Sequence, residues 1–230
     1  MNNFSKKKQN LKSKNVRGSI LFTDIVKSSS LWKKYKDKMF VALKKHENVI
    51  YRLTKKYNGV VVKTIGDSFM LFFKSDKPLD MRVLKCAFEI QNELHNNEIK
   101  LGKSDKIRLR IGICQGVLMK QHVTYQGITL KDYFGETVNI ASRMESKASS
   151  LCGIAFSINR RYSERELLSK FENFIKSDWK IIIKDYKTKC KKLPKNRTRS
   201  SRLIQGYECF KSETLKGVGN VRAYMFMHNH

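Results

Sequence analysis

The sequence has no pair of cysteines close enough to act together. Its five, Cys86, Cys114, Cys152, Cys190 and Cys209, are odd in number, widely scattered and without a CxxC spacing. That argues against a disulfide framework and against a zinc site. Also missing is any window near the roughly 18 consecutive apolar residues of a membrane-spanning helix, and the N-terminus lacks an apolar h-region. A soluble, cytoplasmic protein is the expectation. Acidic residues are scarce, with 20 Asp and Glu against 48 Lys and Arg and a formal net charge of +28. Such an excess suits an anionic partner, nucleic acid or membrane surface, unless the lysines merely solvate the outside.

The position of the charge separates those readings. Residues 1–17 carry Lys6, Lys7, Lys8, Lys12, Lys14 and Arg17 and no acid at all. A second basic block runs through about 176–205, where "KTKCKKLPKNRTRSSR" is broken mainly by Pro194 and polar residues. Both read as additions to a core: an N-terminal arm over 1–17 and an insertion within a domain spanning 18–230. They are poor in aromatics, which fits arms that touch an anionic surface better than a base-stacking platform.

What is present is enough to build one core. The chain has 230 residues, of which 40% are hydrophobic and 10% aromatic, the size of one ordinary domain. The run Ser19–Phe22 reads as a strand that delivers Asp24 at its C-terminal end. From there Leu31, Tyr35, Met39, Leu43, His46, Ile50, Leu53 and Tyr57 recur every three or four residues, the apolar face of a long helix. His46 on that face reads as a core histidine. Asn58-Gly59 stops the helix, and "VVVKTIGDSFMLFF" follows as two strands joined by a tight turn at Gly66-Asp67. Met81, Leu84, Phe88, Gln91 and Leu94 mark a second helix, and "IRLRIGIC" alternates as a strand with Gly116–Met119 as its neighbour. "TVNIASRMESK" reads as a helix after Gly135, "GIAFSI" as a strand, "SERELLSKF" as a short helix and "RAYMFM" as the last strand. The order predicts an α+β fold, a ferredoxin-like split βαβ core with an antiparallel-rich sheet and helices on one face.

Two charges sit oddly in this pattern. Asp24 ends one strand and Asp67 sits in a turn; a split βαβ sheet makes those strands neighbours and brings the carboxylates together. Adjacent carboxylates repel unless a cation neutralises them, and hard oxygen ligands select Mg²⁺ or Mn²⁺.

Four segments taken in order, "LFTDIV", "VVKTIGDSFMLFF", "RLRIGICQG" and "DYFGETVNIASRMES", resemble the catalytic domain of class III nucleotidyl cyclases, the adenylate and guanylate cyclase family. The likeness runs in register from about Gly18 to Ser149, with an echo at "LKGVGNVRAYMF". It implies that Asp24, Asp67 and the carbonyl of Ile25 hold two Mg²⁺ or Mn²⁺ ions per site. Asn139 would orient the ribose and Arg143, four residues on and on the same helix face, would face the α-phosphate. Lys63 and Asp132 stand at the positions that read the base. A lysine only donates and an ionised aspartate only accepts, which matches the N1 acceptor and N6 donor of adenine; guanylate-specific members carry Glu and Cys there. Lys216 falls where a lysine steadies the distal phosphates, although Val218 replaces the second lysine of the usual "KGKG". "VKSSS" after Asp24 departs from the Gly-Phe-Thr of many members. The expected activity is conversion of ATP to cyclic AMP and pyrophosphate by a homodimer with shared sites, one chain giving the aspartates and the other Asn139 and Arg143. The alternatives are a guanylate cyclase, or a degenerate cyclase fold serving as a basic nucleic-acid or membrane adaptor.

Overall fold

The structure is a computed structural model, and it describes residues 13–125, 128–148, 153–158, 162–172, 179–186 and 221–228. Lys216, residues 1–12 of the basic arm and residues 187–205 of the basic block lie outside the described residues.

The first six elements follow the expected order: β1 (Lys14–Ile25), α1 (Ser28–Lys56), β2 (Val60–Ile65), β3 (Ser68–Lys74), α2 (Met81–Asn96) and β4 (Leu109–Tyr125). In the sheet they stand as β2-β3-β1-β4, with β3 inserted antiparallel between β1 and the parallel β2. That is the split βαβ arrangement. After β4 come β5 (Ile128–Phe134), α3 (Glu136–Lys147), β6 (Ile154–Ile158), α4 (Glu164–Phe171), β7 (Trp179–Tyr186) and β8 (Val221–His228). They extend the sheet through β6, β8 and β7, with β6 parallel to β4 and β5 hairpinned onto the far half of β4.

The helices form where the apolar period placed them. Leu31, Met39, Ala42, His46, Ile50 and Leu53 are the buried stripe of α1, interrupted once by non-helical backbone at Lys36. The Asp80 carboxylate caps α2 by accepting from the Arg82 N–H at 3.0 Å. Ser163 and Glu166 form a reciprocal capping box on α4. These three helices cover one sheet face, and the main core lies between them and Leu21, Phe69, Leu71, Phe73, Ile111, Ile113, Phe156 and Phe226. Phe88 of α2 and Phe171 of α4 meet Phe226 edge to face, at centroid distances of 5.0 and 5.4 Å.

The expectation of helices on one face needs correction for α3. Ile140, Ala141 and Met144 pack on Ile20, Phe22, Met70 and Cys114, whose side chains alternate to the opposite side of the strands. Gly112 explains how closely α3 is seated, because a Cβ there would lie 1.9 Å from the Glu145 nitrogen and 2.4 Å from the Ala141 oxygen.

Other readings change as well. β4 does not turn at Gly116; β1 pairs with it continuously from Lys14↔Lys120 to Ile25↔Leu109, so Gly116–Met119 prolong the strand instead of forming its neighbour. The same pairing draws Lys14–Arg17 of the basic arm into β1. β5 went unread, and β7 falls inside the expected insertion as a strand that pairs, among the described residues, with β8 alone. Lysines on such a strand suit an edge, where they deter further pairing, and they hid its isoleucines in a basic block.

Candidate active site

Asp24 lies at the end of β1, directly opposite Arg110 on β4. Both its oxygens are engaged. Ser68 Oγ donates to Oδ1 at 2.7 Å, and Arg110 Nη2 donates to Oδ2. On its other side Arg110 forms an ion pair with Glu145 of α3, with Nε 3.1 Å from Oε1. The angle of that pair is not that of a hydrogen bond, so both atoms are buried without a hydrogen-bond partner among the described residues. Burial pushes the Glu145 carboxyl up to about 7, opposed by Arg110 and reinforced by Asp24.

Asp67 sits in the two-residue turn between β2 and β3. Gly66 takes φ 63°, the left-handed conformation that glycine adopts without a Cβ penalty, and this aims Asp67 back toward the end of β1. Burial raises the Asp67 carboxyl above its ordinary range, and the charge of Asp24 raises it further. Hydrogen bonds from its own backbone, the Ser28 side chain and the Ile25 backbone pull the other way. One oxygen, Oδ2, is buried with no hydrogen-bond partner among the described residues. A half-buried carboxylate with an orphaned oxygen beside a second carboxylate is the environment that a hard divalent cation relieves, so the residues fit the metal pair that the sequence implies. Among the described residues no three His, Cys, Asp or Glu side chains converge as a metal cluster, so a cation here would draw its other ligands from backbone or substrate oxygens. Ile25 adjoins Asp24 and is buried, its side chain in the core.

The loop after Ile25 turns sharply. Lys27 adopts a left-handed φ of 58° and precedes the first turn of α1, which has no side-chain cap. Ser30 and Leu31 donate to the Lys27 carbonyl at 3.0 and 3.1 Å. "VKSSS" thus makes a helix N-terminus beside the two aspartates, a place where backbone N–H groups favour anions.

Lys63 and Asp132 meet. Lys63 Nζ donates to Asp132 Oδ2 at 2.6 Å, although the residues stand on β2 and β5. The hairpin of β4 and β5 makes this contact, since it folds over the sheet and stacks Tyr133 on Phe72 at 4.1 Å. Asp132 Oδ1 accepts from the Tyr133 N–H at 2.8 Å, which fixes the carboxylate.

Asn139 and Arg143 are exposed on α3, and neither side chain has a hydrogen bond or ion pair among the described residues. Glu145 follows Arg143 by two residues, about 200° around the helix, and faces β4. Arg143 therefore points away from the aspartates of its own chain. The expected residues form three groups: the aspartate pair, the Lys63–Asp132 pair and the outward-facing Asn139 and Arg143.

Arg110 and Glu145 escaped the sequence reading. Their signal was the register: "RLRIG" puts Arg110 on an alternating strand, but only the pairing of β1 with β4 sets it against Asp24.

Comparisons with known proteins bear on the family and the fold. The family model for the adenylate and guanylate cyclase catalytic domain matches residues 11–158. Receptor-type adenylate cyclase B of Leishmania donovani is 31% identical over 166 residues, covering 57% of this chain and 12% of that protein. The adenylate cyclase of Schizosaccharomyces pombe is 32% identical over 148 residues, covering 56% of this chain and 8% of that protein. The chain thus spans a small part of the length of the relatives it matches. Among solved structures, the adenylyl cyclase CyaB from P. aeruginosa superposes with a TM-score of 0.63 at 17% identity, covering 96% of this chain and 98% of that one. The guanylate cyclase domain of RhGC from Catenaria anguillulae, in complex with GTP, gives 0.63 at 18%, covering 94% and 100%. At those identities the likeness speaks for the fold alone. The sequence match covers most of the chain, and with the fold it gives the conclusion: this chain belongs to the adenylate and guanylate cyclase catalytic domain family and carries a nucleotidyl cyclase domain.

Proposed function

We propose that the protein is an adenylate cyclase that converts ATP to 3′,5′-cyclic AMP and pyrophosphate. The observation that carries the base assignment is the 2.6 Å contact between Lys63 Nζ and Asp132 Oδ2. A donor and an acceptor held side by side match adenine, with Lys63 donating to N1 and Asp132 accepting from the 6-amino group. Guanine offers O6 and N1–H in the reverse order, and mispairing would leave polar groups unsatisfied, a cost of about 1–3 kcal/mol each. Asp132 Oδ1 is already occupied by the Tyr133 N–H, so Oδ2 is the oxygen left for the amino group. The purine edge replaces one Lys–Asp hydrogen bond with two of its own.

Asp24, Asp67 and the carbonyl of Ile25 would hold two Mg²⁺ or Mn²⁺ ions. When bound, these supply Lewis-acid activation of the ribose 3′-hydroxyl and neutralise the triphosphate. The chain's own groups do the rest. The N-terminus of α1 offers N–H groups to phosphate oxygens. Asn139 orients the ribose, and Arg143 faces the charge that grows on the α-phosphate during in-line attack. Because Arg143 points away from the aspartates of its own chain, the reading calls for a homodimer in which each site takes Asp24 and Asp67 from one chain and Asn139 and Arg143 from the other. Lys216 would hold the distal phosphates.

Incubating the protein with ATP or GTP and Mn²⁺, and separating the cyclic products, tests the assignment. Cyclic AMP as the main product is expected. Cyclic GMP as the main product would refute the base argument, and no cyclic product with either would favour a degenerate adaptor.

A further inference from the structure

A second charged site lies at the opposite end of β1. A cleft of about 530 Å³ is bordered by Lys14, Arg17, Lys74 and Lys120, with Asp76 the one acid at its edge. From Lys14 to Asp24 the strand rises roughly 3.3 Å per residue, about 33 Å in all, so the cleft is not part of the aspartate site.

The strand register explains the hollow. Gly18 stands opposite both Gly116 on β4 and Lys74 on β3, while Lys14 stands opposite Lys120. The Phe72 ring occupies the space over Gly18, and with the Tyr133 ring stacked on it borders the cleft. A Cβ on Gly18 would lie 2.6 Å from the Phe72 ring, so the glycine lets that ring lie close over β1. Alternation directs Lys14, Lys74 and Lys120 to this same face.

Like charges placed directly opposite on adjacent strands destabilise a sheet. Some surface cations are paired, Lys34 with Asp105, Lys44 with Glu47 and Lys63 with Asp132, whereas here the strand pairing gathers three lysines on one face of a cleft. None of the four cations of the cleft has an ion pair within 4 Å among the described residues, and Asp76 pairs with none of them. We infer that this cleft binds a phosphate-bearing small molecule of at least two negative charges, whose phosphates lie among Lys14, Lys74 and Lys120. The phosphate is free or on a lipid headgroup, and the two sources share the chemistry that the lysines recognise.

Calorimetric titration of the full chain with inorganic pyrophosphate in EDTA tests this, since EDTA removes the divalent ions on which the aspartate site depends. Saturable one-to-one binding is expected. It should weaken at least about tenfold in Lys74→Glu/Lys120→Glu and less steeply in Lys74→Gln/Lys120→Gln. It should be unchanged in Asp67→Asn and in Lys38→Glu/Lys45→Glu, which removes the same charge from the outside of α1. Co-sedimentation with phosphatidylcholine vesicles, with and without phosphatidylinositol phosphate, distinguishes a headgroup from a soluble ligand. Equal affinity in the wild type and both cleft variants overturns the inference, as does an equal loss in the α1 control, which would mark diffuse attraction to a basic protein. Tighter binding in Asp67→Asn overturns it too, because without metal that carboxylate repels pyrophosphate and only a ligand in the aspartate site would gain from its removal.

Discussion

His46 provides a quantitative test of the core. It is fully buried on α1, packed edge to face on Phe69 at 5.5 Å, and neither ring nitrogen has a hydrogen-bond partner among the described residues. Burial lowers its pKa to about 4 against the slight opposing pull of Glu47, so the folded protein holds it neutral. In the unfolded chain it titrates near 6.5. Between those values the unfolded state binds the extra proton. The stability that His46 permits is therefore fully present above about pH 6.5 and is lost as pH falls toward 4. With these two values the loss between pH 8 and pH 5 is about 2 kcal/mol. Glu145 works in the opposite direction, since its raised carboxyl gains a proton in the folded state over an overlapping range. The wild-type profile alone mixes the two. Urea unfolding of the wild type and His46→Leu at pH 8 and pH 5 separates them, because Glu145 is common to both. The wild type should lose about 2 kcal/mol more than the variant on acidification. Equal losses would refute the buried, unpartnered neutral imidazole, whatever the absolute stabilities.

Three further outcomes follow from the site and its supports. Asp67→Asn should lower Mn²⁺-dependent cyclase turnover at least about 100-fold. It should leave the melting temperature unchanged or raised at neutral pH, because a carboxylate with a raised pKa costs stability once ionised; a lowered melting temperature would contradict that. Mixing equal amounts of inactive Asp24→Ala and inactive Arg143→Ala should restore about a quarter of the wild-type rate, as random pairing leaves one intact site in half the dimers. A mixture as inactive as its parts would refute shared sites. Gly112→Ala should cost about 2–3 kcal/mol in urea unfolding, because its Cβ meets the backbone of α3, which cannot yield like a side-chain tip. A change below about 0.5 kcal/mol would refute the close seating of that helix.

Much of the fold was legible because local patterns and tertiary packing agree. The stripe from Leu31 to Leu53 is both a 3.6-residue period and the buried face of α1. Gly66-Asp67 is turn chemistry by type and a turn in fact. His46 reads as a core residue and is one. The misreadings share a cause. Gly116 looks like a strand end, yet β1 pairs straight across it, and pairing is a property of two strands. β7 was masked by its lysines, which suit an edge and say nothing about where the edge lies. The side of the sheet that α3 covers was also beyond a one-dimensional pattern, since Ile140, Ala141 and Met144 mark an apolar face without saying what it meets.

By itself the sequence determined the residue types that the proposed chemistry would use: the hard carboxylates Asp24 and Asp67, the donor and acceptor Lys63 and Asp132, and the polar Asn139 and Arg143. Side-chain chemistry and short-range period suffice for that. The tertiary structure decided what those groups face. It joined Lys63 to Asp132 across 69 positions of chain, set Arg110 between Asp24 and Glu145, and left the lysines at the far end of β1 around an unfilled hollow. Strand register and the direction in which a hairpin folds arise from long-range pairing, and no local window of sequence contains them.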